Sequence, residues 1–163
     1  MMDVNRAILD ASAFYAGIPF GSLEPYCTTP QVYDEISHIK KEQNAISTLM
    51  DLGRLVIYSP DDTYTQQVLD LAQETGDVPQ LSDADVSVIA LALQNRQGII
   101  TDDYAVSNTA RHLGLSVSPV MTKGIRTVGR WMYRCAACRM QRPPGQNCNI
   151  CGSVLRRRLV RRN

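Results

Sequence analysis

Four cysteines near the end of the chain have the spacing of a metal site. Cys135 and Cys138 form one C-x₂-C pair, and Cys148 and Cys151 form a second pair after nine intervening residues. Two such pairs can offer four thiolates to one tetrahedral Zn²⁺, and a site closed by four thiolates leaves no open position for a substrate. The spacing therefore predicts a structural, non-catalytic zinc site.

Carboxylates adjoin the apolar runs in the first two thirds of the chain. Asp10 ends the run RAILD, and Asp102 and Asp103 follow the run GIIT. Ligands of an open parallel sheet bind beyond the carboxyl ends of its strands, so these acids are expected at one edge of such a sheet. Asp85, in the first turn of an apolar helix, and Glu35, within an earlier helix, are candidates for the same cluster.

Clustered carboxylates repel one another unless a cation neutralises them, and oxygen ligands select Mg²⁺ or Mn²⁺. Two such ions can activate water and stabilise the leaving oxygen in phosphodiester cleavage. The pattern permits a metal-dependent nuclease that uses no catalytic histidine.

Each acid except Asp10 also has a purely structural interpretation. Asp85 and its neighbour Asp83 suit a helix start, where acids complement the helix dipole. Glu35 suits a solvated helix position, since most glutamates are exposed. One of Asp102 and Asp103 is expected to bind metal while the other caps the helix that begins near Tyr104.

Apolar patterns of strand and helix alternate along this part of the chain. Strands are predicted at 6–10, 55–58, 98–101 and 115–120, and helices at 42–52, 61–75, 83–94 and 104–113. Thr29 followed by Pro30 predicts the start of one more helix. Ser12 is expected to cap a short helix through Ala16, and the segment 17–27 reads as a loop. The alternation predicts an α/β fold with a parallel sheet covered by helices on both faces.

The predicted domain organisation is a nuclease-like α/β domain at 1–122, a linker at 123–129 and a small β zinc ribbon at 130–163. The last segment has too little apolar surface to fold alone, so the zinc would supply its core. Gly152, directly after Cys151, suits the positive φ of a cysteine knuckle.

Charge divides the chain into two halves. All 16 acids lie between Asp3 and Asp103, where five cations leave a net charge of −11, and the remaining residues carry 12 cations and no acid. A basic, arginine-rich module suits the phosphate backbone of a nucleic acid, although opposite charges could also simply hold the two halves together. The candidate RNA-binding residues are Arg130, Arg134, Arg139, Arg142, Arg156, Arg157 and Arg158. Trp131 and Tyr133 suit either base stacking or core packing.

No apolar run approaches the roughly 20 residues needed to span a membrane. The first ten residues lack a long apolar stretch followed by a cleavage site, so a cytoplasmic location is expected.

Four short motifs, in order, resemble the PIN-domain ribonucleases. They are Leu9-Asp10-Ala11-Ser12, Thr29-Pro30-x-Val32-x-x-Glu35, Leu81-Ser82-x-x-Asp85 followed by Val88-Ile89-Ala90-Leu91-Ala92, and Thr101-Asp102-Asp103-Tyr104. Together with the four-cysteine ribbon, they resemble the archaeal Nin-one-binding endoribonucleases, which mature the 3′ end of small-subunit ribosomal RNA.

The resemblance implies that Asp10, Glu35, Asp85 and Asp103 bind Mg²⁺ or Mn²⁺, with Asp102 as the alternative to Asp103. It also implies hydrolysis that leaves a 3′-hydroxyl and a 5′-phosphate, with a precursor of the small ribosomal subunit as partner. Asp83 departs from the family's usual residue and is a further candidate for the cluster. The long insertions of eukaryotic relatives are absent, which favours an archaeal source.

Two other functions stay open at this point. One is a non-catalytic adaptor that binds RNA or the ribosome, in which the acids only shape a PIN-like scaffold. The other is a toxin-type PIN ribonuclease acting on other RNAs, which the ribbon argues against.

Overall fold

Five strands form one parallel sheet in the order β3-β2-β1-β4-β5. The structure is a computed structural model that describes residues 5–38, 43–121 and 129–161. The strands of this sheet are β1 (Ala7–Leu9), β2 (Tyr26–Thr28), β3 (Leu55–Ile57), β4 (Ile99–Ile100) and β5 (Val117–Ser118). Because β1 is central and pairs in parallel with both β2 and β4, Asp10 leaves the sheet at the middle of its carboxyl edge.

Helices connect these strands. They are α1 (Ala11–Tyr15), α2 (Ile18–Gly21), α3 (Pro30–Ile36), α4 (Gln43–Asp51), α5 (Asp62–Thr75), α6 (Asp83–Asn95) and α7 (Tyr104–His112), with a 3₁₀ turn at Val78–Gln80. Thr29 caps α3 as predicted, because its hydroxyl accepts a hydrogen bond from the amide of Val32. Gly76 ends α5 in the left-handed conformation, with φ of +79°.

The helix α6 has more buried residues than any other helix of the described chain. Ser82 caps it, and Asp85 returns the bond to the amide of Ser82, so the two residues form a capping box. Every residue from Val86 to Ala92 is buried, and the helix packs against α5, α3 and β1. This burial fixes the start of α6, and therefore Asp85, against the sheet.

One apolar core holds the sheet and its helices together. Its largest fully buried side chains are Phe14, Ile8, Leu9, Ile36, Leu55, Ile89, Leu91, Ile99, Val32, Val68, Val88 and Val106. They come from β1, β3, β4 and from helices that flank the sheet. This arrangement confirms the predicted α/β class.

A second sheet, antiparallel and in the order β7-β6-β8, carries the cysteines. Its strands are β6 (Gly129–Cys135), β7 (Gln141–Arg142) and β8 (Leu155–Arg161), with Gly129 opposite Arg161 and Cys135 opposite Leu155. Gly152 has φ of +73°, as expected for its knuckle. The predicted linker lies outside the described residues except for Gly129, which is the first residue of β6.

Two local predictions are wrong. The cap of α1 is Asp10 and not Ser12, because the Asp10 carboxylate accepts a hydrogen bond from the Ser12 amide. The segment 17–27 is not only a loop, since it contains α2 and the buried strand β2. Three strand residues between Pro25 and Pro30 give too short a pattern to detect, and burial and pairing with β1 and β3 stabilise them.

Within the described residues, no helix combines the length and the apolar character needed to cross a membrane.

Candidate active site

Four of the six predicted acids line one cavity at the carboxyl edge of the parallel sheet. The cavity has a volume of about 380 Å³, and its acidic residues are Asp10, Glu35, Asp85 and Asp103. They come from β1, α3, α6 and the start of α7, and thus from four separate parts of the chain. The topology therefore brings these carboxylates together, as the edge of a parallel sheet was predicted to do.

Asp10 is held by hydrogen bonds to both of its carboxylate oxygens. Its Oδ1 accepts a hydrogen bond from the Ser12 amide at 2.6 Å, and its Oδ2 accepts one from the Thr101 hydroxyl. The residue is only 5% exposed. Burial raises the pKa of Asp10, and the nearby charges of Asp85 and Asp103 raise it further, although its two hydrogen bonds oppose the shift.

Asp85 fulfils both of its sequence interpretations at once. Its Oδ2 accepts hydrogen bonds from the amide and the hydroxyl of Ser82, at 2.7 and 2.8 Å, so it completes the capping box at the start of α6. The same side chain lines the acidic cavity. Burial raises the pKa of Asp85, and the charge of Asp103 adds to the effect, against the hydrogen bonds from Ser82.

The structure separates the roles of Asp102 and Asp103. Asp103 caps α7, because its Oδ1 accepts a hydrogen bond from the Val106 amide at 2.9 Å, and it lines the cavity. The two oxygens of Asp102 accept hydrogen bonds from the amides of Val120 and Met121, each at 2.9 Å. Asp102 therefore holds the segment after β5 and is not among the residues that line the cavity.

The remaining two acids lie on exposed helix positions. Glu35 is exposed on α3 and faces the cavity that it lines. Asp83 is exposed in the first turn of α6 and is not among the lining residues. Among these two, only Glu35 is placed with the other carboxylates.

The chemistry of this cavity fits a divalent cation. The described residues that line it include four carboxylates and no lysine or arginine, so no side chain neutralises their charge. Carboxylate oxygens are the donors that Mg²⁺ and Mn²⁺ take in proteins. The raised pKa values of Asp10 and Asp85 follow from the same uncompensated burial.

Sequence reasoning did not single out three of the polar side chains at this site. Thr101 is 1% exposed and contacts Asp10, while Ser12 and the half-exposed Tyr15 line the cavity. Thr101 and Ser12 stand within the quoted motifs, directly beside the acids. Tyr15 carries no comparable signal, because an exposed tyrosine at a helix end is common.

The four cysteines converge at the second sheet. Their Sγ atoms all lie within 4.8 Å of one another, with Cys135 and Cys151 at 3.3 Å and Cys138 and Cys148 at 3.9 Å. A tetrahedral ion with bonds of about 2.3 Å to sulfur requires sulfur atoms roughly 3.8 Å apart. The geometry fits such an ion, whereas the separations exceed the roughly 2.05 Å of a disulfide.

Local hydrogen bonds prepare the second cysteine pair to bind a metal. The backbone amides of Cys151 and Ile150 lower the pKa of Cys148 to about 6, and Ser153 lowers the pKa of Cys151. A thiolate, not a thiol, is the metal ligand. The lowered pKa of Cys148 therefore favours the thiolate form that a metal ion binds.

Arg142 belongs to the cysteine cluster in this structure. Its Nε donates a hydrogen bond to the Sγ of Cys148 at 3.3 Å, and its Nη2 donates one to the Sγ of Cys138 at 3.5 Å. These contacts raise the pKa of Arg142. The guanidinium predicted to contact RNA is thus directed at two of the sulfurs predicted to bind the metal.

The other candidate arginines lie on the surface of the second sheet. Arg134, Arg139 and Arg156 line a cavity of about 350 Å³ beside Cys135. Arg157 lies over the ring of Trp131, 4.2 Å from its centroid, in a cation–π contact. Arg130 and Arg158 are exposed.

Comparisons with known proteins agree with both parts of the chain. Residues 7–94 match the family described as PIN domain of ribonuclease. Endoribonuclease Nob1 of Pyrococcus abyssi is 34% identical over 154 residues, which cover 93% of this chain and 92% of that protein. Endoribonuclease Nob1 of Methanothermobacter thermautotrophicus is 37% identical over 161 residues, which cover 94% and 93%.

A second kind of relative shares most but not all of the chain. Ribonuclease VapC1 of Thermoplasma acidophilum is 37% identical over 128 residues, which cover 78% of this chain and 66% of that protein. The Nob1 proteins match over a longer part of the chain. With its parallel PIN-like sheet, its acidic cavity and its four-cysteine ribbon, the chain belongs to the PIN-domain family of Nob1 endoribonucleases.

Proposed function

We propose that the protein is a metal-dependent endoribonuclease that cleaves precursor small-subunit ribosomal RNA near its 3′ end during ribosome biogenesis. The observation that carries the proposal is the cavity lined by Asp10, Glu35, Asp85 and Asp103, whose described lining residues include no lysine or arginine. The similarity to Nob1 endoribonucleases over more than nine tenths of the chain supports the choice of RNA. We propose that the protein acts in the cytoplasm.

The four carboxylates would hold Mg²⁺ or Mn²⁺. Such ions supply an activated water and charge stabilisation for the leaving oxygen, so that the products carry a 3′-hydroxyl and a 5′-phosphate. The protein's own contribution is orientation. Thr101 and the Ser12 amide fix the carboxylate of Asp10, and Ser82 fixes that of Asp85, so that both acids are in place before a cation binds.

The second sheet would bind Zn²⁺ through its four cysteines and contact the RNA through its arginines. Four thiolates close the ion's coordination, so the zinc has a structural role. We assign phosphate contacts to Arg130, Arg134, Arg139, Arg156 and Arg158. Each lost phosphate contact is expected to reduce the slope of log affinity against log salt by roughly 0.7–0.9, which filter binding of an Arg158→Gln variant would measure.

The direct test of the activity uses the wild-type protein and a precursor RNA that spans the mature 3′ end. We expect cleavage at one position with Mg²⁺ or Mn²⁺ and none with chelator, and mapping of the products should show the 3′-hydroxyl and 5′-phosphate ends. Binding of the RNA without any metal-stimulated cleavage would instead support a non-catalytic adaptor.

The similarity to Ribonuclease VapC1 supports a second candidate, a toxin-type ribonuclease that acts on other RNAs. Transfer RNA should be tested beside the precursor under identical conditions. Faster cleavage of transfer RNA would favour this second function, whereas preferential cleavage of the precursor supports ribosomal RNA as the substrate.

A further inference from the structure

The side chain of Asn108, on α7, connects the first domain to the second sheet through Gly129. Its Nδ2 donates a hydrogen bond to the carbonyl of Gly129 at 3.0 Å, and its Oδ1 accepts one from the amide of Gly129 at the same distance. Asn108 is fully buried on α7, and Gly129 is the first residue of β6. One side chain therefore pairs with both polar groups of the residue at which the second sheet begins.

A buried carboxylate holds Asn108 in this orientation. The Oδ2 of Asp77 accepts hydrogen bonds from Asn108 Nδ2 at 2.8 Å, from the Thr75 hydroxyl at 2.7 Å and from the Thr109 hydroxyl at 3.3 Å. Asp77 is 0% exposed. A buried polar group that loses its hydrogen-bond partners destabilises the folded state, so this network resists rotation of the Asn108 amide.

Side chains packed around this network also connect the parallel sheet and its helices to the second sheet. Tyr133 donates a hydrogen bond from its hydroxyl to the carbonyl of Gly76 at 2.9 Å, and Trp131 meets the ring of Tyr104 edge to face at 6.1 Å. A Cβ atom at Gly76 would lie 2.9 Å from both the Cβ and the carbonyl oxygen of Trp131. Since Gly76 also has φ of +79°, only glycine allows this close approach.

The helix α7 connects this joint to the acidic cavity. Asp103 caps its start and lines the cavity, while Asn108 lies five residues further along. At a rise of 1.5 Å per residue, the two positions are separated by about 7.5 Å along one short helix. The second contact to Gly129, from the Nε2 of His112 at 2.9 Å, comes from the end of the same helix.

We infer that Asp77, Asn108 and Gly129 form a rigid joint that holds the arginine-bearing sheet at a fixed position relative to the carboxylate cavity. Asn108 is then a positioning residue, because it acts on the RNA only through the ribbon. This inference rests on the proposed function for its consequence, namely that an RNA contacting both parts is presented to the cavity at one distance. The existence of the joint can be tested without any RNA.

The first test is ¹⁵N relaxation of the zinc-loaded full chain. We expect one rotational correlation time for the amides of both sheets in the wild type. Asn108→Ala should give the ribbon amides a shorter correlation time than those of the parallel sheet. The matched control is Asn95→Ala, which removes a side-chain amide hydrogen bond to the carbonyl of Leu91 within α6 and contacts neither Gly129 nor the acidic cavity. Two distinct correlation times in the wild type would overturn the joint.

Tyr133→Phe provides a milder variant if Asn108→Ala does not fold, since it removes only the bond to Gly76. It should likewise separate the correlation times, though by less, and unchanged relaxation in both folded variants would contradict the inference.

The second test compares two substrates. A short single-stranded oligonucleotide that spans only the cleaved bond should be cut by Asn108→Ala with unchanged kcat. The long precursor should lose about 10- to 100-fold in kcat/KM, because misplacement by about 1 Å is enough to cost a factor of this order. Equal losses on both substrates would overturn the positioning role. If the wild type cuts neither substrate, the proposed function fails while the relaxation data still decide the joint.

Discussion

The hydroxyl of Thr101 joins Asp10 to Asp103. It donates a hydrogen bond to the Oδ2 of Asp10 and accepts one from the amide of Asp103 at 2.9 Å. Thr101 is 1% exposed at the end of β4, next to the central strand. One buried hydroxyl therefore sets the relative position of two acids that lie 93 residues apart in the sequence.

Thr101→Val tests the importance of this contact. The nearly isosteric change leaves the buried Asp10 carboxylate without one of its two donors, and we expect the free energy of unfolding to fall by about 1–3 kcal/mol. Urea denaturation of the zinc-loaded protein measures the change. The control Thr48→Val removes an exposed hydrogen bond from the Thr48 hydroxyl to the carbonyl of Asn44 on α4. Its free energy of unfolding should stay within about 0.5 kcal/mol of the wild-type value. Equal effects of the two substitutions would contradict this role of Thr101.

The sequence predicts the acids at the sheet edge well because strand ends and helix caps leave local signals. The run before Asp10, the Thr29-Pro30 start and the Ser82 cap all correspond to elements in the structure. The strand β2 leaves no such signal, since three residues are stabilised by pairing with distant strands. The sequence also does not show which of Asp102 and Asp103 lines the cavity. The answer depends on tertiary structure, because the amides of Val120 and Met121 bind Asp102.

The contacts of Gly129 could not be predicted from the sequence either. Composition predicts a linker there, and the hydrogen bonds that fix Gly129 come from Asn108, which is 21 residues away. Nothing local to Asn108 marks it as different from any other helical asparagine. Arg142 is comparable, since its charge predicts RNA contact and only the fold directs it to the sulfurs of Cys138 and Cys148.

The raised pKa values of Asp10 and Asp85 predict the pH dependence of the metal-free cavity. A carboxyl group whose pKa is raised above its ordinary 3.8 on folding favours the folded state at low pH, and this contribution is lost as the pH rises through the folded-state pKa. Asp85→Asn removes one such group. Without Mg²⁺, the Tm of the variant relative to the wild type should therefore rise between pH 4 and pH 7.

Excess Mg²⁺ should lower the Tm of the Asp85→Asn variant relative to that of the wild type at pH 7, because the ion binds the folded wild type more tightly than the variant. Asp83→Asn, two residues earlier and outside the cavity, is the matched control and should show no such dependence on Mg²⁺. Both effects are measured by thermal unfolding with zinc kept bound. A similar Mg²⁺ response in the two variants would contradict the assignment of Asp85.

The five cysteines should react with a thiol reagent in two classes. Cys27 is 0% exposed, and burial raises its pKa to about 12, so it stays unreactive in the folded protein. The four ribbon cysteines should be protected by Zn²⁺ and react after a chelator removes it. Titration should therefore give no fast thiols, then four with chelator, and five with denaturant. Rapid reaction of the zinc-loaded cysteines would contradict the metal site.

Arg142→Gln should weaken zinc retention without altering the four ligands. The substitution removes the positive charge and the hydrogen bonds to Cys138 and Cys148, and loss of such a supporting partner typically lowers metal affinity by about 10- to 100-fold. We expect a value near ten, because the guanidinium is only partly buried. Competition with a chromophoric chelator measures the affinity. Arg158→Gln, an exposed arginine on β8, should leave it unchanged, and equal loss in both variants would contradict the contact.

We propose that the carboxylate cavity performs the cleavage and that the basic sheet does not. Comparison of the wild type with Asp10→Asn on a precursor RNA in the presence of Mn²⁺ tests this proposal. The asparagine can still accept a bond from the Ser12 amide, so the fold and RNA binding should be retained. We predict at least a 100-fold loss of the cleavage rate with unchanged affinity for the RNA. Cleavage at the wild-type rate by the folded variant would show that the cavity is not the site of cleavage.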